Sequence, residues 1–141
     1  MRTYKRNMSG FTLIEVMVVV AIIGIIAAVA WHYFEQESMK NRRTEAITAL
    51  TKIANELQDC HSDTMTYANC PISAAVTNSL IHYSQPVFTN VSADKYKVTL
   101  TAIGNQANDT DCATFSIDDL GQKTFTGNAQ SSAARCWGTS N

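Results

Sequence analysis

Several common signatures are missing from this 141-residue chain. It has no Cys-x-x-Cys pair, no Gly-rich phosphate loop, no internal repeat and no patch where basic and aromatic residues interleave. Those absences remove the usual sequence marks of metal, nucleotide and nucleic-acid sites. An excess of one charge is missing too. The 11 Lys+Arg stand against 12 Asp+Glu, a formal net charge of −1, so the total points to no polyanionic partner. His32, His61 and His82 are dispersed, and no Ser or Cys around them forms a nucleophile with its base. Asp109, Asp111, Asp118 and Asp119 lack the spacing of a calcium cage and read as turn residues. No catalytic, cofactor or metal-binding residue is expected, and the length supports one folded domain.

The most informative absence lies between Val16 and Trp31, where no residue is charged or strongly polar. The whole run from Phe11 to Phe34 reads FTLIEVMVVVAIIGIIAAVAWHYF, about what a helix rising ~1.5 Å per residue needs to cross the hydrocarbon core. Arg2, Lys5 and Arg6 precede it, and Glu35 and Glu37 follow. The positive-inside bias then keeps the N-terminus in the cytoplasm and exports everything after Trp31. Trp31, Tyr33 and Phe34 fall where an interfacial aromatic belt would sit. A cleavable secretory signal would need small residues after the run, and Trp31-His32-Tyr33-Phe34-Glu35 is a poor site. Without its first ten residues the chain has 8 basic and 12 acidic residues, or −4, so the basic start reads as a targeting signal. Glu15 departs from a plain anchor. A carboxylate that early in an apolar helix is costly in lipid and needs a positive partner. Cleavage after Gly10 would create one, the α-amino group of Phe11.

Gly10-Phe11-Thr12-Leu13-Ile14-Glu15, behind a short basic leader and ahead of an apolar helix, resembles the class III signal of type IV pilins and pseudopilins. The resemblance covers about Lys5 to Ala30. It implies that a prepilin peptidase removes residues 1–10 and N-methylates Phe11. It also implies that Glu15 pairs with the Phe11 amine of a neighbouring subunit, neutralising a buried charge during assembly. Gly24, which costs about 1 kcal/mol of helix propensity relative to Ala, fits either close helix packing or local melting inside a filament. Many major pilins carry a proline about where His32 stands, so its absence favours a minor subunit or a pseudopilin.

After Phe34 the helical signal turns amphipathic. Ile47, Leu50, Ile53, Ala54 and Leu57 recur at three- and four-residue spacing, with Cys60 extending the stripe. Glu35, Glu37, Lys40, Arg42, Arg43, Glu45, Lys52 and Glu56 read as the other faces. The pattern predicts one helix from about Phe11 to Asp59, its first half in lipid and its second against a sheet. Residues 60–90 read as an irregular loop with a short helical piece around Ile72–Leu80. Strands are expected at Tyr96–Ile103, Cys112–Ile117 and Lys123–Phe125, with an edge strand at Val87–Val91 and a turn at Asp118–Gly121. Cys60, Cys70, Cys112 and Cys136 all follow the apolar run, and an even count in an exported domain favours two disulfides. Three pairings satisfy the count. Joining neighbours, Cys60–Cys70 and Cys112–Cys136, is the expected one.

The fold class expected is α+β: a pilin fold with a long helix, half transmembrane and half amphipathic, on a small antiparallel sheet of three to four strands. The expected divisions are a leader at 1–10, a filament-core half-helix at 11–34 and a periplasmic or extracellular domain at 35–141. The run Cys112…Leu120-Gly121-Gln122-Lys123…Cys136-Trp137 resembles the C-terminal disulfide region of type IVa minor pilins. The resemblance implies a minor pilin, held in the inner membrane before assembly and in the surface pilus after it. Its partners would be other pilin subunits, the prepilin peptidase and the inner-membrane assembly platform. Such filaments serve adhesion, twitching motility or DNA uptake. The alternatives are a type II secretion pseudopilin and a DNA-receptor pilin. The acidic mature balance disfavours nucleic acid globally, leaving a local strip of Lys95, Lys97, Lys123 and Arg135.

Overall fold

A computed structural model of the chain describes residues 10–138, the side chain of His32 excepted. The basic leader residues Arg2, Lys5 and Arg6 lie outside those residues. Helix α1, Leu13–Thr64, has 52 residues and passes from one compact unit, ending at Glu37, into a second beginning at Ser38.

In the first unit the backbone satisfies itself along the helix, as any segment in lipid must. Thr12 starts it, its hydroxyl accepting from the Glu15 N–H at 3.3 Å. The apolar side chains are exposed on every face, from Phe11 at 83% through Val19 at 49% to Trp31 at 73%. Among the described residues nothing beyond the neighbouring turns of the helix itself lies within 4 Å of a Cβ built on Gly24.

In the second unit α1 buries Ala46, Ala49, Leu50, Ile53 and Leu57. Fully burying a Leu or Ile contributes about 1.5–3 kcal/mol, and this stripe is the helix's share of the core. The helix outruns the expected end by five residues. The Ser62 and Thr64 hydroxyls bond back to the Gln58 and Cys60 carbonyls, and Met65, at φ 58°, turns the chain away. The connection that follows holds one helical turn, α2 (Ala74–Thr77), capped by the Ser73 hydroxyl. It is shorter than the sequence pattern suggested. Two α1 carboxylates grip this connection: Glu56 accepts from Ser73 N–H at 2.8 Å, and Glu45 from Ile81 and His82 N–H at 2.6 and 2.9 Å.

Strands β1 (Val87–Thr89), β2 (Lys97–Thr101), β3 (Thr114–Asp118) and β4 (Lys123–Thr126) form an antiparallel meander in that order. Strand β1 is shorter than expected because Asn90 takes φ 55°. Strand β2 ends early because Ala102 makes only an isolated bridge to Tyr83 before a 3₁₀ turn at Gly104–Asn108. Val98, Leu100, Phe115 and Ile117 enter the core, where Tyr83, Tyr96 and Trp137 join them. The alternate positions Thr99, Thr101, Thr114, Thr124 and Thr126 share the other face by register. Gly121, at φ 71°, closes the β3–β4 turn, and Asp118 Oδ1 accepts from the Leu120 and Gln122 N–H groups. A last helix, α3 (Ala133–Trp137), is capped by Ser132 and ended by Gly138 at φ 65°. Its brevity left no periodic signal.

Candidate functional site

Two regions carry chemistry that packing alone does not explain. The first is the start of α1. Gly10 and Phe11 are exposed, and Glu15 lies in the first helical turn, where the helix dipole favours an anion. The Glu15 carboxylate is exposed and has no hydrogen bond or ion pair among the described residues. Thr12 and Glu15 have the spacing of a capping box, a local role that sequence reading passed over.

The second region joins α1 to the C-terminal part of the chain. Cys112 and Cys136 form a disulfide, as do Cys60 and Cys70. Beside the first of these bridges, Arg43 and Asp109 are buried together at 6% and 4% exposure. The Arg43 Nε and Nη2 donate to Asp109 Oδ2 and Oδ1, each at 2.7 Å, and Nη1 donates to the Arg135 carbonyl at 3.1 Å. Gln106, fully buried, donates to Asp109 at 3.1 Å, to the Met39 carbonyl at 3.0 Å and to the Tyr83 hydroxyl at 3.4 Å. The Asp109 hydrogen bonds hold the Arg43 guanidinium pKa up. Gly127 lies so close to the Asp111 carbonyl that a Cβ would overlap it, and Asn128 donates to Asp111 at 2.6 Å. The C-terminal loop is thus seated on the turn that carries Asp109.

Arg43 read as a solvated residue and Asp109 as a turn former; both are buried instead. The signal was present, because Arg43, Ala46, Leu50, Ile53 and Leu57 continue one three-and-four spacing. Extending the apolar stripe back one turn places Arg43 on the buried face, where a charge must be paired. Glu45 is a second missed contact. Burial alone would raise its carboxyl pKa, but the His82 ring at 2.7 Å and the His82 and Ile81 N–H groups outweigh that and hold it low.

The four basic residues do not form one strip. Lys97 pairs in register with Asp118 and Lys123 with the next residue inward, Ile117, so the two occupy opposite faces of the sheet. The Lys123 ammonium lies 5.5 Å from the Trp137 ring. Arg135 is 3.7 Å from the Asp111 carboxylate. Lys95 is exposed in the β1–β2 connection.

Burial pushes the Tyr96 hydroxyl up to about 12, and burial together with the Asp109 charge raises Tyr83 as well. The folded state therefore keeps these protons longer than the unfolded chain, whose tyrosines titrate near ~10. Their stabilising contribution is full below that pH and declines as pH rises towards 12. Urea unfolding should show lower stability at pH 11.5 than at pH 9, and Tyr96→Phe should lessen the difference.

The chain resembles known proteins. Residues 33–116 match the family described as type IV minor pilin ComP, DNA uptake sequence receptor. Residues 5–31 match the prokaryotic N-terminal methylation motif. A probable minor fimbrial protein of Dichelobacter nodosus is 32% identical over 85 residues, covering 57% of this chain and 54% of its own. The type IV major fimbrial protein FimA of the same organism is 29% identical over 89 residues, covering 63% and 57%. The chain thus spans about half the length of these curated relatives. The Neisseria meningitidis non-core minor pilin PilV superposes with a TM-score of 0.50 at 20% identity, over 67% of this chain and 93% of that one. Helix, meander and bridged C-terminal region together define a type IV pilin fold. Within that class, the chain belongs to the type IV minor pilin ComP, DNA uptake sequence receptor, family.

Proposed function

We propose that this chain is made as a membrane precursor, cut between Gly10 and Phe11, methylated on Phe11 and built into a type IV pilus as a minor subunit. The observation that carries this reading is the first half of α1, apolar and exposed on all sides, with a Glu15 carboxylate that has no partner among the described residues. Such a surface needs lipid before assembly and other helices after it. In the precursor the N-terminus is cytoplasmic and the domain after Phe34 is exported. A prepilin peptidase and an inner-membrane platform then act on it. Glu15 neutralises the Phe11 amine of the adjoining subunit. The relatives named above are pilus proteins, which supports a pilus over a secretion pseudopilus.

Within the pilus, we infer that this subunit receives DNA, a reading supported by the family description. The mature chain carries −4, so contact with phosphate is local and involves few cations. Lys95 and Lys97 are candidates, lying two residues apart at the end of the β1–β2 connection and the start of β2. A gel shift of the detergent-solubilised chain with duplex DNA should appear at low salt and weaken as salt rises, with a slope of roughly −2 for two phosphate contacts. No shift at low salt would remove the receptor role and leave a structural subunit.

A further inference from the structure

An open cleft of about 150 Å³ lies between the last turns of α1, the loop after it and strand β1. Leu57, Phe88 and Val91 supply apolar walls, Tyr67 and Tyr96 supply phenols, and Asn69 adds an amide. Cys70 belongs to the same lining, so its bridge to Cys60 ties that wall to α1. His61 stacks on Tyr67 at 4.3 Å, and Tyr67 meets Tyr96 edge-on at 4.8 Å. The rings are held by each other, and the cleft has fixed sides.

The two tyrosines are 6% and 2% exposed. Their rings are enclosed while their hydroxyl oxygens still reach solvent, since the buried side-chain atoms without a partner among the described residues are His61 Nε2 and Gln106 Oε1. Tyr83, equally buried, receives the Gln106 amide. Among the described residues the hydroxyls of Tyr67 and Tyr96 have no hydrogen-bond partner. Both unpartnered hydroxyls therefore belong to residues that line the cleft. No carboxylate does.

Size and chemistry narrow the ligand. A space of about 150 Å³ accommodates one benzene-sized ring, and a fused two-ring system would project beyond its walls. Apolar walls suit the faces of a planar ring, while two phenol donors and an amide suit ring carbonyls and a ring N–H. We propose that this cleft binds one unpaired pyrimidine base of a DNA strand. The proposal rests on the reading of the chain as a DNA-receiving subunit. It adds a contact that a fully paired duplex cannot make, because a stacked and paired base cannot enter. Single strands bind through stacking on aromatic platforms of this kind. Lys95 sits in the tight 92–95 turn that follows Val91, where the Ser92 hydroxyl accepts from its N–H at 3.1 Å, a place from which it can meet the strand's phosphate.

The test titrates the full chain in detergent with oligothymidylate, oligodeoxyadenylate of equal length and a duplex. Oligothymidylate should bind ~10-fold tighter than oligodeoxyadenylate, the worth of about two hydrogen bonds. The joint change Tyr67→Phe and Tyr96→Phe keeps both rings and removes only the hydroxyls. It should bring thymidylate down to the adenylate level and leave duplex binding unchanged. Val91→Trp, at the 46%-exposed edge of the lining, should block the cleft and do the same. Equal affinity for the two oligonucleotides overturns the proposal, as would a side chain of a neighbouring subunit being the true occupant. A thymidylate preference that survives both changes also overturns it. Absence of duplex binding, with the thymidylate preference intact, overturns the duplex-receptor reading instead.

Discussion

Asp109→Asn is expected to destabilise the second unit by about 3–5 kcal/mol, the usual cost of removing one partner of a buried ion pair. The substitution keeps size and shape and removes only the charge. It leaves the Arg43 guanidinium, 6% exposed, against a neutral amide whose nitrogen repels its N–H groups. Both 2.7 Å contacts are affected, and so is the Gln106 amide that donates to the same carboxylate. Surface pairing gives the contrast. Asp111 and Arg135 meet at 3.7 Å with side chains 32% and 52% exposed, and breaking such a pair costs about 0–1 kcal/mol. Domains of this size have about 5–15 kcal/mol in total, so the Asn variant should be largely unfolded in mild urea while Arg135→Gln, which breaks only the exposed pair, is not. Replacing both partners, Arg43→Met with Asp109→Leu, should recover most of the loss, because no charge is then left alone. A loss below about 1 kcal/mol for Asp109→Asn would mean that water reaches the pair.

Glu15→Ala is expected to reduce the amount of this chain in sheared pili by more than ~10-fold, since an unpaired ammonium in a desolvated helix bundle costs several kcal/mol. Cleavage after Gly10 should continue, because the change lies beyond the cut and leaves the helix start capped by Thr12. Total cellular chain should therefore stay near normal while the pilus fraction falls. Glu15→Asp keeps the charge on a shorter stem and should retain part of the incorporation. Glu15→Lys, which sets two cations together, should retain none. Normal incorporation of the Ala variant would mean that the Phe11 amine is neutralised by another group.

The parts of the structure that were legible in the sequence are those with long, regular patterns. The apolar run and the Ile47–Leu57 stripe specify α1 because helical spacing repeats over many turns. The alternation in Lys97–Thr101 and Thr114–Asp118 specifies the central strands because one face is core. What escaped is short or tertiary. Helix α3 has five residues, too few for a period, and it exists because Ser132 and Gly138 cap it and Trp137 packs edge-on against Phe115 at 5.3 Å. The Arg43–Asp109 pair joins residues 66 apart, and nothing local announces such a partner. Strand ends were misplaced at Asn90, whose positive φ stops the ladder, and at Ala102, which keeps only an isolated bridge to Tyr83. Glu45 and Glu56 looked solvated because the backbone they grip, at Ser73 and at Ile81–His82, belongs to a loop without pattern. The N-terminal methylation motif was legible for a different reason, since its pattern is linear: a glycine, an aromatic residue and a carboxylate at fixed spacing.

The central claim is that Phe11 becomes the N-terminus of a filament subunit. Intact mass and N-terminal analysis of this chain, recovered from sheared pili and from membranes lacking the prepilin peptidase, tests it most directly. The account predicts a methylated Phe11 terminus in pili and the uncut Met1–Gly10 leader in the peptidase-deficient membrane. A pilus-borne chain that keeps its leader, or a chain cut beyond Trp31, would contradict it and leave Glu15 an unexplained charge in an ordinary membrane anchor.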